Sequence, residues 1–261
     1  MIIPQNSLKK IFSHKISQNA LANLIRTLLQ IIIAFVGNYI IVRQTSRQDI
    51  GLWALVFAFS TFVNLVDLGI SQALIRYTAN DEKNTSKYFW TTLQFYLFSG
   101  LVSSSVLFFI FKFFGRIYFK ATVPSDSFIL ITLFGTYLSL VTSAFNNVLN
   151  GKQMMIKSSS LEVLKSFSYY TFVLYYLPKI GIASFGTGTF LSSLLALTVT
   201  FFVLKKSVRL PYSKFDVSIF KKLFSFGIKT YGVALINQLK GAWLPFLTQS
   251  FFGITYVAYT D

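Results

Sequence analysis

The sequence of 261 residues contains no cysteine, one histidine (His14) and five prolines. Without thiols there is no disulfide framework, no thiolate metal site and no cysteine nucleophile, and a lone imidazole leaves no transition-metal ligand set. Charge is also scarce. Charged residues make up 12% of the chain, and only eight of them are acidic. Eight dispersed acids offer no clustered carboxylates for acid–base catalysis. What remains is apolar: 54% of residues are hydrophobic and the mean hydropathy is +0.59. Such a composition places the chain among multi-span membrane proteins.

The 24 Lys and Arg residues give a formal net charge of +16. In a soluble domain that charge would point to nucleic acid. Here the cations sit between apolar segments with no interleaved basic and aromatic patch, so they read as orientation signals and contacts to lipid headgroups.

The stretch Gly51 to Ala79 organises the rest. It opens as an apolar run, carries Ser60, Asn64, Asp67 and Ser71 at helical spacing, and breaks at Asp67-Leu68-Gly69. A helix in lipid that holds a polar stripe must turn that stripe to other helices or to water. Residues 1–17 place Leu8, Ile11, Phe12 and Ile16 on one face, which predicts a short amphipathic helix on the cytoplasmic membrane surface.

A first spanning segment, Gln18 to Val42, aligns Asn19, Asn23, Arg26 and Gln30 at i, i+4, i+7 and i+11. Arg26 within a span is costly unless it faces a wet or protein-lined stripe; the competing reading is that it snorkels to the headgroups. The link Arg43 to Ile50 precedes the central stretch, and a loop from Arg76-Tyr77 to Lys87 follows it. Segment three, Tyr88 to Phe114, shares a face among Thr92, Tyr96, Ser99 and Ser103. Segment four, Ser127 to Asn150, does so with Thr136, Ser139, Ser143, Asn146 and Asn150.

Segment five, Ser158 to Leu177, carries Glu162 and Lys165 at i, i+3, a spacing that predicts mutual neutralisation. Segment six, Ile182 to Leu204, contains Gly186 and Gly188, which permit close helix contact. The basic connection 205–222 leads into segment seven, Leu223 to Ser250, with Lys229, Asn237, Gln238 and Lys240. After Gly253 another apolar run begins.

If the N-terminus is cytoplasmic, Lys and Arg outside the segments divide about 14 to the cytoplasmic side and about 6 to the other, as the positive-inside rule requires. The domain reading is a surface helix 1–17, a six-helix lobe 18–204, a basic inter-lobe loop 205–222, and residues 223–261 as helix seven and the start of helix eight. The fold class is an all-α integral membrane bundle, and the polar stripes are expected to converge on one cation-lined interior. Intramembrane cations outnumber the acids Asp67 and Glu162, which suits an anionic cargo.

The run RQTSRQDIGLWALVFAFSTFVNLVDLGISQALIRYTA resembles the oligosaccharide flippases, the Wzx-like polysaccharide biosynthesis proteins of the MOP (multidrug/oligosaccharidyl-lipid/polysaccharide) exporter superfamily. Arg43, Gly51, Trp53, Asp67, Leu68, Gly69, Arg76 and Tyr77 carry the likeness, while Thr45, Ser46 and Ile50 depart from it. NVLNGKQM, Asn147 to Met154, and Leu223 to Gly253 are similar to the family's fourth-helix end and seventh helix.

The resemblance implies two MATE-like lobes working by alternating access, of which this chain holds the first lobe and one helix of the second, as a truncated frame or fragment would. It implies translocation of undecaprenyl-pyrophosphate-linked oligosaccharide across the cytoplasmic membrane for O-antigen, capsule or exopolysaccharide synthesis. The partners implied are lipid-linked oligosaccharide, membrane lipids and other polysaccharide assembly proteins. No cofactor is expected, and Na+ or H+ coupling is left open. Arg26 is the leading candidate for the pyrophosphate, with Asn23, Gln30, Asn64, Arg76, Lys229, Asn237 and Lys240 as further cavity candidates. Asp67 and Gly69 are expected to be structural. Alternatives are a drug exporter of the superfamily, a membrane polysaccharide polymerase and an inactive remnant. Cationic bias opposes the first, and the lack of a large outer loop or clustered acids opposes the second.

Overall fold

The computed structural model describes the backbone of residues 5–119 and 124–252, and side chains from residue 17 on, apart from 114–123, 233–234, 237–247 and 249–252. The described elements are helices: α1 (Gln5–Gln44), α2 (Arg47–Ser60), a 3-10 segment (Thr61–Asp67), α3 (Ile70–Asn80), α4 (Thr85–Phe119), α5 (Asp126–Gly151), α6 (Met155–Ile180), α7 (Ala183–Ser207) and α8 (Val217–Phe252). The protein is a multi-pass membrane protein. Five helical stretches among the described residues are long and apolar enough to cross a bilayer: Ser17–Gln44, Arg47–Asp67, Thr85–Phe113, Asp126–Gly151 and Ala183–Ser207. Each exceeds the ~20 residues a bilayer core requires. α6 is as long as α5 but carries Lys157, Glu162, Lys165 and Lys179, which lower its hydropathy.

Several boundaries differ from those read in the sequence. Residues 5–17 continue into the first crossing as one 40-residue helix, so no break separates the expected surface helix from it. The link Arg43 to Ile50 shrinks to Thr45-Ser46, because Ser46 caps α2 by accepting from the Asp49 amide at 3.1 Å. Arg76 and Tyr77 lie on α3 rather than in a loop, and the connection after α3 is residues 81–84.

Helix α1 lies parallel to α6. Asn23 meets Met155 and Ser159, Arg26 meets Glu162, and Gly37 abuts Tyr170 in steadily advancing register. Parallel neighbours require an odd number of crossings between them. The count is met when α2, the 3-10 segment and α3 together make one crossing.

That crossing is broken where Leu68 and Gly69 adopt left-handed backbone, φ 50° and 75°. Asp67 closes the break by accepting from the Ser71 amide at 2.9 Å and from the Tyr96 hydroxyl. The Tyr231 hydroxyl on α8 donates to the Leu65 carbonyl at 2.7 Å. A broken helix at membrane depth stands only where neighbours satisfy the freed backbone in this way.

The lobe is centred on α5 and α7. Gly135 lets the α5 backbone approach that of α7 so closely that an added Cβ would fall 2.7 Å from the Phe190 nitrogen. Thr132 serves the same contact, its hydroxyl oxygen 2.7 Å from where a Cβ on Gly186 of α7 would lie, and Thr136, Ser184, Ser192 and Ser193 are buried as well. Thr132 and Thr136 return their hydroxyl protons to carbonyls one turn earlier, at 2.8 and 3.0 Å. Leu, Ile and Phe side chains of α1, among them Phe35 at 73% exposure, face outward as a lipid-facing helix requires.

At one end of the bundle, connections 81–84, 152–154 and 208–216 gather. Lys152 pairs with Glu82 at 2.8 Å, and Lys157 donates to Ser207 at 2.8 Å. The stretch 208–216 is strapped along α4 by hydrogen bonds from Trp90 to the Leu210 carbonyl and from Gln94 to the Ser213 carbonyl, 3.4 and 3.0 Å. At the other end Trp53, Phe128 and Phe185 stack where α2, α5 and α7 begin.

Where α8 crosses the break, Gly227 and Gly69 touch backbone to backbone: a Cβ on Gly227 would sit 2.7 Å from the Leu68 carbonyl oxygen, whereas Gly232 faces open space. Gly227→Ala is therefore expected to destabilise the protein by about 1–3 kcal/mol through overpacking. Gly232→Ala, on the same helix, should be neutral or stabilising by about 0.5–1 kcal/mol. Thermal unfolding of the two purified variants in detergent checks the contrast; equal midpoints would contradict the close crossing.

Candidate functional site

The polar stripe on α1 faces α6. Asn19, Asn23, Arg26 and Gln30 are each half-buried, between neighbours that are largely exposed. Asn23 donates to the Met155 sulfur at 3.6 Å and accepts from the Ser159 hydroxyl at 3.4 Å. Arg26 Nη1 lies 2.8 Å from Glu162 Oε2, with the two side chains 29% and 34% exposed. Glu162 therefore pairs with Arg26 and not, as the i, i+3 spacing predicted, with Lys165. Lys165 instead donates to the Ser139 hydroxyl on α5. A half-buried acid gains more from a guanidinium on a facing helix than from a lysine that already has a hydroxyl partner.

Arg26 holds its acid with one nitrogen, and its Nε is buried without a partner among the described residues. A guanidinium carries five donors, so this geometry leaves several for another anion. Beside the pair lies a cleft of about 430 Å³ between α1 and α6. It is lined by Leu21, Ala22, Ile25, Leu29, Ile156 and Val163, with Gln18, Arg26, Ser159 and Ser160 supplying its polar groups. Arg26 is about 12 Å along its helix from Gln18, and Glu162 about 10 Å from the start of α6. The cluster thus lies in the part of the apolar stretch Ser17–Gln44 nearer the end that gathers the basic connections. With Lys165 within electrostatic reach of Glu162, its side chains sum to two cations and one anion.

The other candidates are dispersed. Asn64 is half-buried on the 3-10 segment without a side-chain hydrogen bond to a described residue. Arg76 is exposed at the basic end, its guanidinium 4.3 Å from the centre of the Phe226 ring. Lys229 is exposed on α8. The side chains of Asn237 and Lys240 lie outside the described residues. The stripes of α4 and α5 do not join that of α1: Tyr96 bonds Asp67 and Ser71, and Thr136 bonds Ser60 at 3.3 Å. These are helix-packing contacts, and only Ser139 reaches the charged cluster.

Against this geometry, the sequence profile of the family described as "Polysaccharide biosynthesis protein" matches residues 16–261. The chain belongs to that family. No curated protein matches the sequence. The fold is that of a MOP superfamily transporter from Pyrococcus furiosus, with a TM-score of 0.63 at 13% identity. That protein is described as having a binding pocket whose reverse polarity suggests a different function. The alignment covers 94% of this chain but 64% of the transporter, so the family member described here spans under two thirds of its length.

A residue set that sequence reasoning passed over closes the basic end. Asp81 accepts from the Asn84 side chain at 2.9 Å and the Tyr88 hydroxyl at 3.1 Å, and Lys222 on α8 donates to that hydroxyl at 2.9 Å. Lys222 also sits 4.5 Å from the centre of the Tyr77 ring. The signal was faint because the partners are up to 145 positions apart, joining α3, α4 and α8 only in three dimensions.

The hydrogen bond from Asn84 holds the Asp81 carboxyl below its ordinary value. The hydrogen bond and charge of Lys152 do the same for Glu82, whose ordinary value is 4.5. A carboxyl lowered on folding adds stability above its unfolded value and loses it as pH falls through the folded one. Glu82→Gln should therefore lower the thermal midpoint at neutral pH, and the gap from wild type should close as pH drops below 4.5. A gap independent of pH and salt would exclude the ion pair as its source.

Proposed function

We propose that the intact protein is a flippase that moves a polyprenyl-pyrophosphate-linked oligosaccharide across the cytoplasmic membrane, with Arg26 receiving the pyrophosphate. The observation that carries this reading is an arginine inside a spanning helix, held by one nitrogen and facing a cleft, with donors left over. Arginine suits pyrophosphate because its planar fork matches two phosphate oxygens at once. The apolar lining suits a cargo that enters beside its lipid tail, and the half-exposed rim suits the hydrated sugar. Family membership supports polysaccharide assembly as the setting, and the fold supports alternating access. The excess of cations at the end holding connections 81–84, 152–154 and 208–216 supports a cytoplasmic N-terminus. On that reading Arg26 meets its cargo from the cytoplasmic leaflet, where lipid-linked precursors are built, and the protein's further partners are membrane lipids and other polysaccharide assembly proteins.

Arg26→Ala in the intact protein is expected to abolish surface polysaccharide while membrane abundance, followed by immunoblot, stays unchanged. Because that variant strands Glu162, the double variant Arg26→Ala/Glu162→Ala serves beside it, and export should stay lost there too. Arg26→Lys keeps the charge without the fork and should retain partial export. Normal polysaccharide in the double variant would remove Arg26 from the site.

A further inference from the structure

Glu162 has two cations to choose from. It holds Arg26 at 2.8 Å, and one helical turn further along α6, Lys165 lies within its electrostatic reach. Lys165 is half-buried and tied to the protein by the Ser139 hydroxyl, a neutral partner. An acid at this depth cannot be left unpaired, because the loss of one partner strands a desolvated charge. A diphosphate that claims the whole Arg26 fork, including the nitrogen now on Glu162, can therefore bind only if Glu162 is received elsewhere. Lys165 can receive it, since residues three apart on a helix are neighbours and the hydroxyl it leaves is a weaker acceptor than a carboxylate.

We infer that Glu162 and Lys165 form a counter-ion switch for the anion site. In the empty site Glu162 occupies Arg26. When a diphosphate group binds Arg26, the carboxylate turns to Lys165, which releases Ser139. The inference rests on the reading of Arg26 as the diphosphate-binding residue and adds to it the two positioning residues that set its affinity. Glu162 is an internal competitor, so binding is weaker than Arg26 alone would give. Lys165 keeps that competition from becoming a block. The switch also ties occupancy to helix contacts, since binding exchanges a bond from α1 to α6 for one within α6 and frees Ser139 on α5.

The test is binding of inorganic pyrophosphate to the purified intact protein in nanodiscs of zwitterionic phosphatidylcholine, which keeps net-anionic headgroups out of the measurement. Glu162→Gln should bind roughly tenfold tighter than wild type, within the usual range of coupling between interacting sites. Lys165→Met should bind at least about fivefold weaker, and Lys165→Arg should restore binding. In the Glu162→Gln background, Lys165→Met should have no effect, because no carboxylate remains to be received. Should Glu162→Gln fail to fold, Glu162→Met removes the same charge.

Equal weakening by Lys165→Met in both backgrounds would make Lys165 a direct ligand and overturn the switch while leaving the Arg26 site standing. No effect of Lys165→Met in either background would overturn it too. Unchanged binding in Arg26→Ala would instead overturn the anion site itself. A gain in the Glu162 variant together with a Lys165 effect confined to the wild-type background is the result the switch requires.

Discussion

A charge buried in a bilayer must find its counter-charge on another helix, and in this protein that requirement fixes where α1 lies. Helix α1 meets the lobe along α6, through Asn23 with Met155 and Ser159, Arg26 with Glu162, and Gly37 against Tyr170. Its remaining face is a row of exposed leucine, isoleucine and phenylalanine. In lipid that row contributes little to holding the helix in place, because hydrocarbon solvates it as well as protein does. Polar contacts and close packing carry the attachment, and they also place Arg26 at the cleft.

The second crossing is under a related constraint. A helix that unwinds in the membrane exposes backbone groups, and each exposed group needs a partner. Asp67 and Tyr231 provide partners, Tyr96 holds the Asp67 carboxylate in place, and the paired glycines at 69 and 227 allow α8 to come close enough to reach. Asp67 therefore serves the backbone and the Tyr96 hydroxyl. The same crossing brings Lys222 onto Tyr77 and Tyr88, so α8 is docked on α3 and α4 at the basic end.

These two arrangements divide the polar residues of the chain into those that hold helices together and those with capacity to spare. Many Ser and Thr hydroxyls belong to the first group and return their protons to their own helix. Arg26 belongs to the second, with a buried nitrogen unmatched. The expectation of a single polar interior drawn from all the stripes gives way to separate pairwise contacts, and among the described residues the charged cluster of α1, α5 and α6 keeps a buried guanidinium nitrogen unmatched.

The helical class, most of the crossings, the break at Asp67-Leu68-Gly69 and the polar face of α1 were all legible in the sequence, because apolar length, helical period and left-handed glycine are local properties of a chain. Its family likeness was legible for the same reason, in short runs around Trp53 and Asp67. Only the tertiary structure decided what each polar face meets. Periodicity gives the direction of a stripe around its own axis but not which helix stands there. So Glu162 was read against Lys165, three positions away, when its partner was Arg26, 136 positions away. Sequence spacing favours the near neighbour, whereas the energy of a desolvated carboxylate favours the better donor brought close by packing.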